Sequence, residues 1–220
     1  MRYFANPCGD AVIALMRSGE LGYIDTPSQK KSRVSNAASW CADSGIFGTA
    51  YVGDDKWFEW LQKHAGEAST CAFATAPDVV GDADATIERS RPWFKRIRGL
   101  GYPVAFVAQD GLTVSNGVLL TEGFKSSIAW QEFDCLFIGG TTKWKLGPQA
   151  RAIAVEAKAR GKWLHMGRVN SEKRFRYARA IGCDSVDGTY LTFGPDTNLP
   201  KLLAWVRGND QLDLFGGDAA

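Results

Sequence analysis

Short apolar segments recur along the chain, and longer amphipathic or alanine-rich segments separate most of them. A short apolar run is typical of a buried strand, whereas apolar residues repeated every three to four positions indicate a helix. The strands predicted in this way are residues 3–5, 21–24, 39–42, 71–76, 103–108, 134–138, 163–166 and 185–186. The predicted helices are residues 10–18, 54–64, 82 or 84 to 98, 148–160, 171–180 and 199–206.

The clearest helix boundaries carry capping residues. Asp54 precedes an amphipathic helix, Pro148 suits a first helical turn, and Ser171 is a good N-cap. Residues 112–131 fit no simple pattern, and we predict a short helix after Ser115.

Strands that alternate with helices favour a parallel sheet covered by helices, and eight of them predict a (β/α)8 TIM-type barrel. An open doubly wound sheet is the main alternative. That fold predicts a glycine-rich turn after the first strand, and residues 6–9 make a poor one. We therefore predict a compact single barrel over residues 1–207 and a flexible tail over residues 208–220.

Composition excludes several classes of protein. The 220 residues carry a formal net charge of only +2, so no global field points to nucleic acid or membrane. The five cysteines are scattered singly and there are only two histidines, which argues against structural zinc. Neither a membrane span nor an export signal is evident, so we expect reduced thiols and a cytoplasmic location.

Two aspartates stand out among the polar residues that follow the predicted strands. Asp43 and Asp187 are each followed within two residues by a glycine and precede no obvious helix start. In a barrel the carboxyl ends of the strands converge on the face where active sites are built. Polar residues there also serve as ordinary helix caps, so position alone does not assign a function.

Four segments, in order, resemble those of tRNA-guanine transglycosylases. They are Trp40-Cys-Ala-Asp-Ser-Gly-Ile-Phe47, Phe106-Val-Ala-Gln-Asp-Gly111, Phe137-Ile-Gly-Gly140 and Gly182-Cys-Asp-Ser-Val-Asp187. The compact chain and the segment Ile138-Gly-Gly-Thr-Thr-Lys-Trp-Lys-Leu146 look more like the phage-type paralogues that insert 7-deazaguanine bases into DNA. For a phage-encoded protein, the cytoplasm would be that of the host.

The resemblance implies a base exchange at the sugar C1′, with no cofactor. Asp187 would be the nucleophile that forms a covalent aspartyl-nucleotide, and Asp43 the general acid/base. Such pairs of carboxyl groups serve retaining glycosidases in the same way. The incoming base would be a small 7-deazaguanine of the preQ0 type. The residues implied to contact the base are Ser44, Asp78 or Asp82, Gln109, and the backbone amides of Gly139 and Gly140.

Two departures from the family change the expected partner. Ile46 replaces the second glycine after Asp43, and the zinc-binding Cys/His subdomain is missing. The missing subdomain puts tRNA in doubt as the substrate, so we expect DNA to be preferred.

Local rather than global charge would bind the nucleic acid. The basic residues predicted to rim the barrel face and contact phosphates are Lys30, Lys31, Arg33, Lys143, Lys145, Arg168, Lys173 and Arg174. Trp144 and Tyr190 are predicted to stack on an extruded base. Two alternatives remain open: a hydrolytic DNA glycosylase on the same scaffold, and a barrel that only binds nucleic acid.

Overall fold

Eight parallel strands close into a barrel in a computed structural model that describes residues 1–208. The barrel strands are β1 (Arg2–Ala5), β2 (Gly22–Asp25), β3 (Trp40–Ala42), β4 (Cys71–Thr75), β5 (Val104–Ala108), β9 (Cys135–Ile138), β10 (Trp163–Met166) and β11 (Ser185–Gly188). They follow one another around the barrel in chain order, and β11 pairs with β1 to close it. The predicted (β/α)8 barrel is therefore confirmed.

Helices follow most of the barrel strands and cover the outside of the barrel. They are α1 (Asp10–Ser18), α2 (Asp54–Lys63), α3 (Ala83–Gly99), α4 (Thr142–Lys145), α5 (Pro148–Ala159), α6 (Glu172–Ala180) and α7 (Pro195–Arg207). A 3-10 turn, Val34–Asn36, stands in place of a helix between β2 and β3. None of the helices in residues 1–208 is long and apolar enough to cross a membrane.

Alternate residues of each strand face inward and outward, as the pleat of a strand requires. Outward residues such as Tyr3 and Phe106 join the large core under the helices. Inward residues such as Phe4, Phe73 and Phe137 form a second, smaller cluster inside the barrel. The interior is thus filled with side chains, and a ligand must bind at one end of the barrel.

The segment after β5 is the main difference from the predicted elements. Strands β6 (Leu112–Ser115), β7 (Val118–Thr121) and β8 (Ser127–Ile128) form a small antiparallel sheet, so the short helix predicted after Ser115 is wrong. Asn116 and Gly117, with φ of 49° and 74°, make the turn between β6 and β7. An Asn-Gly pair between alternating apolar residues favours a hairpin, because both residues tolerate positive φ.

Several boundaries also differ. Helix α7 begins at Pro195 rather than at residue 199, and α4 was not predicted. Helix α3 begins after Asp82, whose side chain caps it by accepting from the Ala85 N–H. The tail predicted for residues 208–220 lies outside the described residues except for Gly208, which ends α7.

All five cysteines are unpaired, and four of them are buried. Within residues 1–208 no three side chains of the metal-binding types come together as a metal site would need. That the chain binds no zinc remains a prediction.

Candidate active site

A cleft of about 290 Å³ opens at the carboxyl ends of the barrel strands. Six predicted site residues line it: Asp43, Asp78, Gln109, Gly139, Arg168 and Asp187. Asp187 lies near the end of β11 and the other five follow five other strands, so the closed barrel brings them together from across the chain. Its volume is close to the lower limit for small-molecule pockets, which suits a single base better than a larger ligand.

Asp187 lies in β11 with its side chain 15% exposed toward the cleft. Oδ1 is 2.9 Å from Nε2 of the buried His165, and Oδ2 is 3.4 Å from the backbone nitrogen of Arg168. Gly167 leaves the space that this arrangement needs, since a Cβ there would lie 2.6 Å from the Phe137 ring and 3.3 Å from Asp187 Oδ1. The carboxylate is therefore held on one side and open to the cleft on the other.

Asp43 follows β3 and is partly buried in the same cleft. Its backbone N–H donates to the Asp25 carbonyl at 2.9 Å, and its Oδ1 accepts from the Gly45 N–H at 3.2 Å. Burial, followed by the negative charge of Asp187, raises the pKa of Asp43 to about 7. A carboxyl group with such a pKa exchanges a proton readily near neutral pH, as an acid/base group must.

Asp78 and Gln109, which follow the adjacent strands β4 and β5, form a buried pair. Gln109 Nε2 donates to Asp78 Oδ2 at 2.5 Å, and Gln109 Oε1 accepts from the N–H groups of Gly81 and Gly140, both at 3.0 Å. Burial raises the pKa of Asp78 to about 6. Gln109 therefore has little hydrogen-bonding capacity left for a ligand. Oδ1 of Asp78 receives no side-chain donor among the described contacts, and the backbone N–H of Asp78 is a further donor to the carboxylate. Asp82, the alternative to Asp78, is instead an exposed helix cap.

The predicted backbone contacts at Gly139 and Gly140 are not available. The Gly139 N–H donates to the Ala108 carbonyl at 3.0 Å, and the Gly140 N–H is taken by Gln109. Gly140 also has a φ of 53° and lies against the Trp144 ring, where a Cβ would be 2.4 Å away. The two glycines thus allow close packing rather than donate to a base, and only Gly139 lines the cleft.

Ser44 also has a structural role, in the loop that follows β3. It is buried, its N–H donates to Thr75 Oγ1 at 2.9 Å, and its own Oγ accepts from the Ile46 N–H at 3.4 Å. It is not among the residues that line the cleft.

Arg168 reaches into the cleft rather than standing only on its rim. Its guanidinium donates to the carbonyls of Gly139 and Gly140 and lies 4.2 Å from the centre of the Phe47 ring. Its φ of 60° is rare for a residue with a side chain. The arginine therefore links the loops that follow β3, β9 and β10 across the mouth of the barrel.

The remaining basic residues differ in exposure. Lys30, Lys31, Lys143 and Lys173 are exposed, and Arg33 and Arg174 are partly buried. Lys145 is only 1% exposed, and its Nζ donates to the Gly167 carbonyl at 2.6 Å. The prediction that Lys145 contacts phosphate from the rim is therefore wrong: the α4 helix turns its side chain inward, where burial lowers its pKa to about 7.

The two predicted stacking residues are both engaged in packing. Trp144 lies over Gly140 and joins the core, and Tyr190 packs against Trp205 with ring centres 4.6 Å apart. Among the described residues, the exposed aromatic rings between barrel strands or after them are Phe47, at 63%, Phe124, at 76%, and Phe193, at 77%. Phe47 also lines the cleft, so its ring is better placed than Trp144 or Tyr190 to meet a base.

Neither a protein-family model nor a curated protein matches the chain. Among solved structures, the fold is similar to phosphoribosyl anthranilate isomerase from Thermus thermophilus, at 13% identity and a TM-score of 0.52, over 95% of this chain and 100% of that one. It is also similar to an HpcH/HpaI aldolase from Desulfitobacterium hafniense DCB-2, at 12% identity and a TM-score of 0.50, over 98% and 94% of the two chains. At these identities the likeness shows the barrel fold alone.

Sequence reasoning missed His165, which contacts Asp187, and polar lining residues such as Thr75 and Thr189. His165 lies in a strand that is otherwise apolar. The available signal was strand pairing: His165 is opposite Ser185, and Ser185 and Asp187 are two residues apart and share a face.

Proposed function

We propose that this protein exchanges guanine in DNA for a 7-deazaguanine base through a covalent aspartyl-nucleotide intermediate. The observation that carries the proposal is the meeting of Asp43, Asp78 and Asp187 in one cleft, each in different surroundings. A base exchange needs a nucleophile, a proton carrier and a group that recognises the base, and three carboxyl groups can divide these tasks.

The first half of the reaction removes guanine. A carboxylate oxygen of Asp187 forms a bond to C1′ while the bond from C1′ to the base nitrogen breaks, through an oxocarbenium-like transition state. The electrons of the broken bond leave with guanine, which takes its proton from Asp43. The raised pKa of Asp43 favours this step because the group is partly protonated at neutral pH.

The second half reverses the same bonds with a different base. The incoming 7-deazaguanine gives its ring N–H proton to the Asp43 carboxylate, and its nitrogen bonds to C1′. The electrons of the ester bond return to Asp187, which is again a carboxylate. No proton is gained or lost overall, so Asp43 alone can serve both halves.

Asp78 is the group we assign to the base. Guanine and 7-deazaguanine both present N–H donors on their pairing edge, and an ionised carboxylate is an acceptor only. Gln109 holds Oδ2 of Asp78, and no side chain donates to Oδ1 among the described contacts, so we assign Oδ1 to accept from that edge. The apolar residues Val107 and Phe137 line the same cleft and suit the flat faces of a base.

The proposed preference for DNA over tRNA depends on the departures of this sequence from the tRNA-guanine transglycosylases. The exposed lysines after β2, β9 and β10 would contact the phosphates of either polymer. Phosphate contacts release counterions, so affinity should fall steeply with salt. A base must also leave its stack to reach Asp187, which costs less in single-stranded DNA. We therefore expect single-stranded or melted DNA to be modified at least as well as duplex.

The test measures incorporation of a labelled 7-deazaguanine, preQ0, into a guanine-containing DNA oligonucleotide and into tRNA, at several salt concentrations. Incorporation into DNA with a covalent protein–DNA adduct supports the proposal. Abasic sites without incorporation would instead indicate a hydrolytic glycosylase. Neither product, with binding retained, would indicate a nucleic-acid-binding barrel, and a preference for tRNA would overturn the choice of DNA.

A further inference from the structure

The imidazole of His165 lies at the centre of the barrel with no exposed surface. Three aromatic rings surround it, with centres 4.4 Å away for Phe137, 4.8 Å for Phe73 and 6.1 Å for Phe4. A polar ring in such surroundings needs a hydrogen-bond partner for each nitrogen. Its two partners therefore fix how the ring is oriented and protonated.

Four side chains form a continuous chain of hydrogen bonds through this ring. Trp163 Nε1 is 2.8 Å from Ser185 Oγ, which is 2.8 Å from His165 Nδ1, and His165 Nε2 is 2.9 Å from Asp187 Oδ1. The indole N–H only donates, so Ser185 accepts from Trp163. The serine hydroxyl proton then goes to Nδ1, and the ring N–H lies on Nε2 and donates to Asp187.

The charged form of the ring fits these contacts less well. An imidazolium would donate from both nitrogens and leave the Ser185 hydroxyl proton without an acceptor among its described contacts. The other titratable side chains inside the barrel are the thiols of Cys41 and Cys135, which burial keeps uncharged by raising their pKa. The chain of hydrogen bonds thus ends at Oδ1 of Asp187.

We propose that His165 is a positioning residue that holds Oδ1 of Asp187 inside the barrel, so that Oδ2 is the oxygen that bonds to C1′. The inference depends on the proposed function, because it names the reacting atom of that same site. Among the described residues, the 3.4 Å contact from the Arg168 N–H is the only hydrogen bond to Oδ2, which leaves it the freer oxygen.

The same hydrogen bond serves both half-reactions. When Oδ2 bonds to C1′, Oδ1 becomes the carbonyl oxygen of the ester and still accepts from His165. When the second base attacks, the electrons of the C1′–Oδ2 bond return to the carboxylate, and the Nε2–H group stabilises the negative charge on Oδ1. The ring neither gives nor takes a proton.

The first test is independent of activity. The chain has only two histidines, His64 and His165, so ¹⁵N-histidine labelling gives two imidazole signals, and a His64→Gln variant assigns them. We expect the Nε2–H tautomer for His165. An Nδ1–H tautomer or an imidazolium at neutral pH would overturn the inference. If the protein incorporates no labelled base, the proposed function fails while this spectrum still decides the tautomer.

The second test compares His165→Gln with His165→Asn. A glutamine amide reaches the place of Nε2 and can donate to Asp187, whereas an asparagine amide reaches only the place of Nδ1. Loss of a hydrogen bond to a charged group typically costs about 10- to 100-fold. We expect His165→Asn to slow adduct formation on the DNA oligonucleotide by about that factor with an unchanged KM, and His165→Gln to recover most of the loss.

A purely structural role would affect both variants alike or would move kcat and KM together. Equal rates for the two variants, or a normal rate for His165→Asn, would therefore contradict the inference. Urea unfolding of both variants checks that they fold. If neither folds, the imidazole spectrum of the wild-type protein decides.

Discussion

Replacing Asp43 by asparagine should stabilise the folded protein at neutral pH while it removes the acid/base group. The asparagine keeps the size of the side chain and an oxygen that can accept from the Gly45 N–H, as Asp43 does at 3.2 Å. It removes the negative charge that burial and Asp187 disfavour. The stability that the variant gains over the wild-type protein should therefore increase with pH as Asp43 ionises in the wild-type protein.

The size of the effect follows from the pKa. Asp43 has a pKa of about 7 in the folded protein, against 3.8 for an unperturbed aspartate. A tenfold change in proton affinity corresponds to about 1.4 kcal/mol, so ionisation of Asp43 costs the folded state up to about 4 kcal/mol. Because the pKa of Asp43 is higher in the folded protein than in the unfolded chain, the wild-type protein is most stable below pH 3.8. It loses up to about 4 kcal/mol of that stability as the pH rises through about 7.

The assay is urea unfolding of the wild-type protein and Asp43→Asn between pH 4 and pH 8. The difference in free energy of unfolding should be near zero at pH 4 and should rise to a few kcal/mol in favour of the variant by pH 8. Glu88→Gln, which neutralises an exposed carboxylate on α3, is the matched control and should show no such rise.

A second comparison isolates the cause. In an Asp187→Asn background the neighbouring charge is gone, so the gain from Asp43→Asn should become smaller. A difference that does not change with pH, or that favours the wild-type protein at pH 8, would refute the reasoning about Asp43. Base exchange by Asp43→Asn should fall by about 10²- to 10⁴-fold, the usual contribution of a general acid/base.

The remaining predictions concern the nucleophile, the rim and the base. Asp187→Asn should fold but lose exchange by about 10³-fold or more and form no covalent adduct on denaturing gels. Lys143→Ala should reduce the slope of log binding constant against log salt concentration by about the value for one phosphate contact. Lys145→Met should leave that slope unchanged. Asp78→Asn should raise the KM for preQ0 by roughly tenfold or more, because the carboxylate acceptor is lost; an unchanged KM would remove Asp78 from base recognition.

The barrel was predictable because its strands are short, apolar and regularly spaced. Residues 163–166 were predicted as a strand with the bounds that the structure has, and helix 10–18 likewise. The sheet of β6 to β8 was missed because its strands are antiparallel and no α-helix separates them, so they depart from the alternation of the rest of the chain, although Asn116-Gly117 is a strong hairpin signal. Local turn chemistry was the better guide in that segment.

The site was only partly predictable. Position after a strand found Asp43, Asp78 and Asp187, because in this fold the strand ends meet. The same rule cannot tell whether a polar group is already hydrogen-bonded within the protein. The N–H of Gly140 is taken by Gln109, which is distant in sequence, and Lys145 turns inward with the α4 helix. Such facts depend on tertiary contacts, which periodicity and spacing do not encode.

The different roles that we propose for the two central carboxyl groups follow from where each lies relative to its strand. Asp187 is inside β11, so the pleat of the strand points it the same way as Ser185 and ties it to His165 in the barrel interior. Asp43 lies just after β3, where a loop N–H is the only hydrogen bond that its side chain receives among the described contacts. A carboxyl group that is buried with little hydrogen-bonding support holds its proton more tightly, as the raised pKa of Asp43 indicates. The two carboxyl groups therefore differ in their proposed roles because one lies within its strand and the other lies just past the end of its strand.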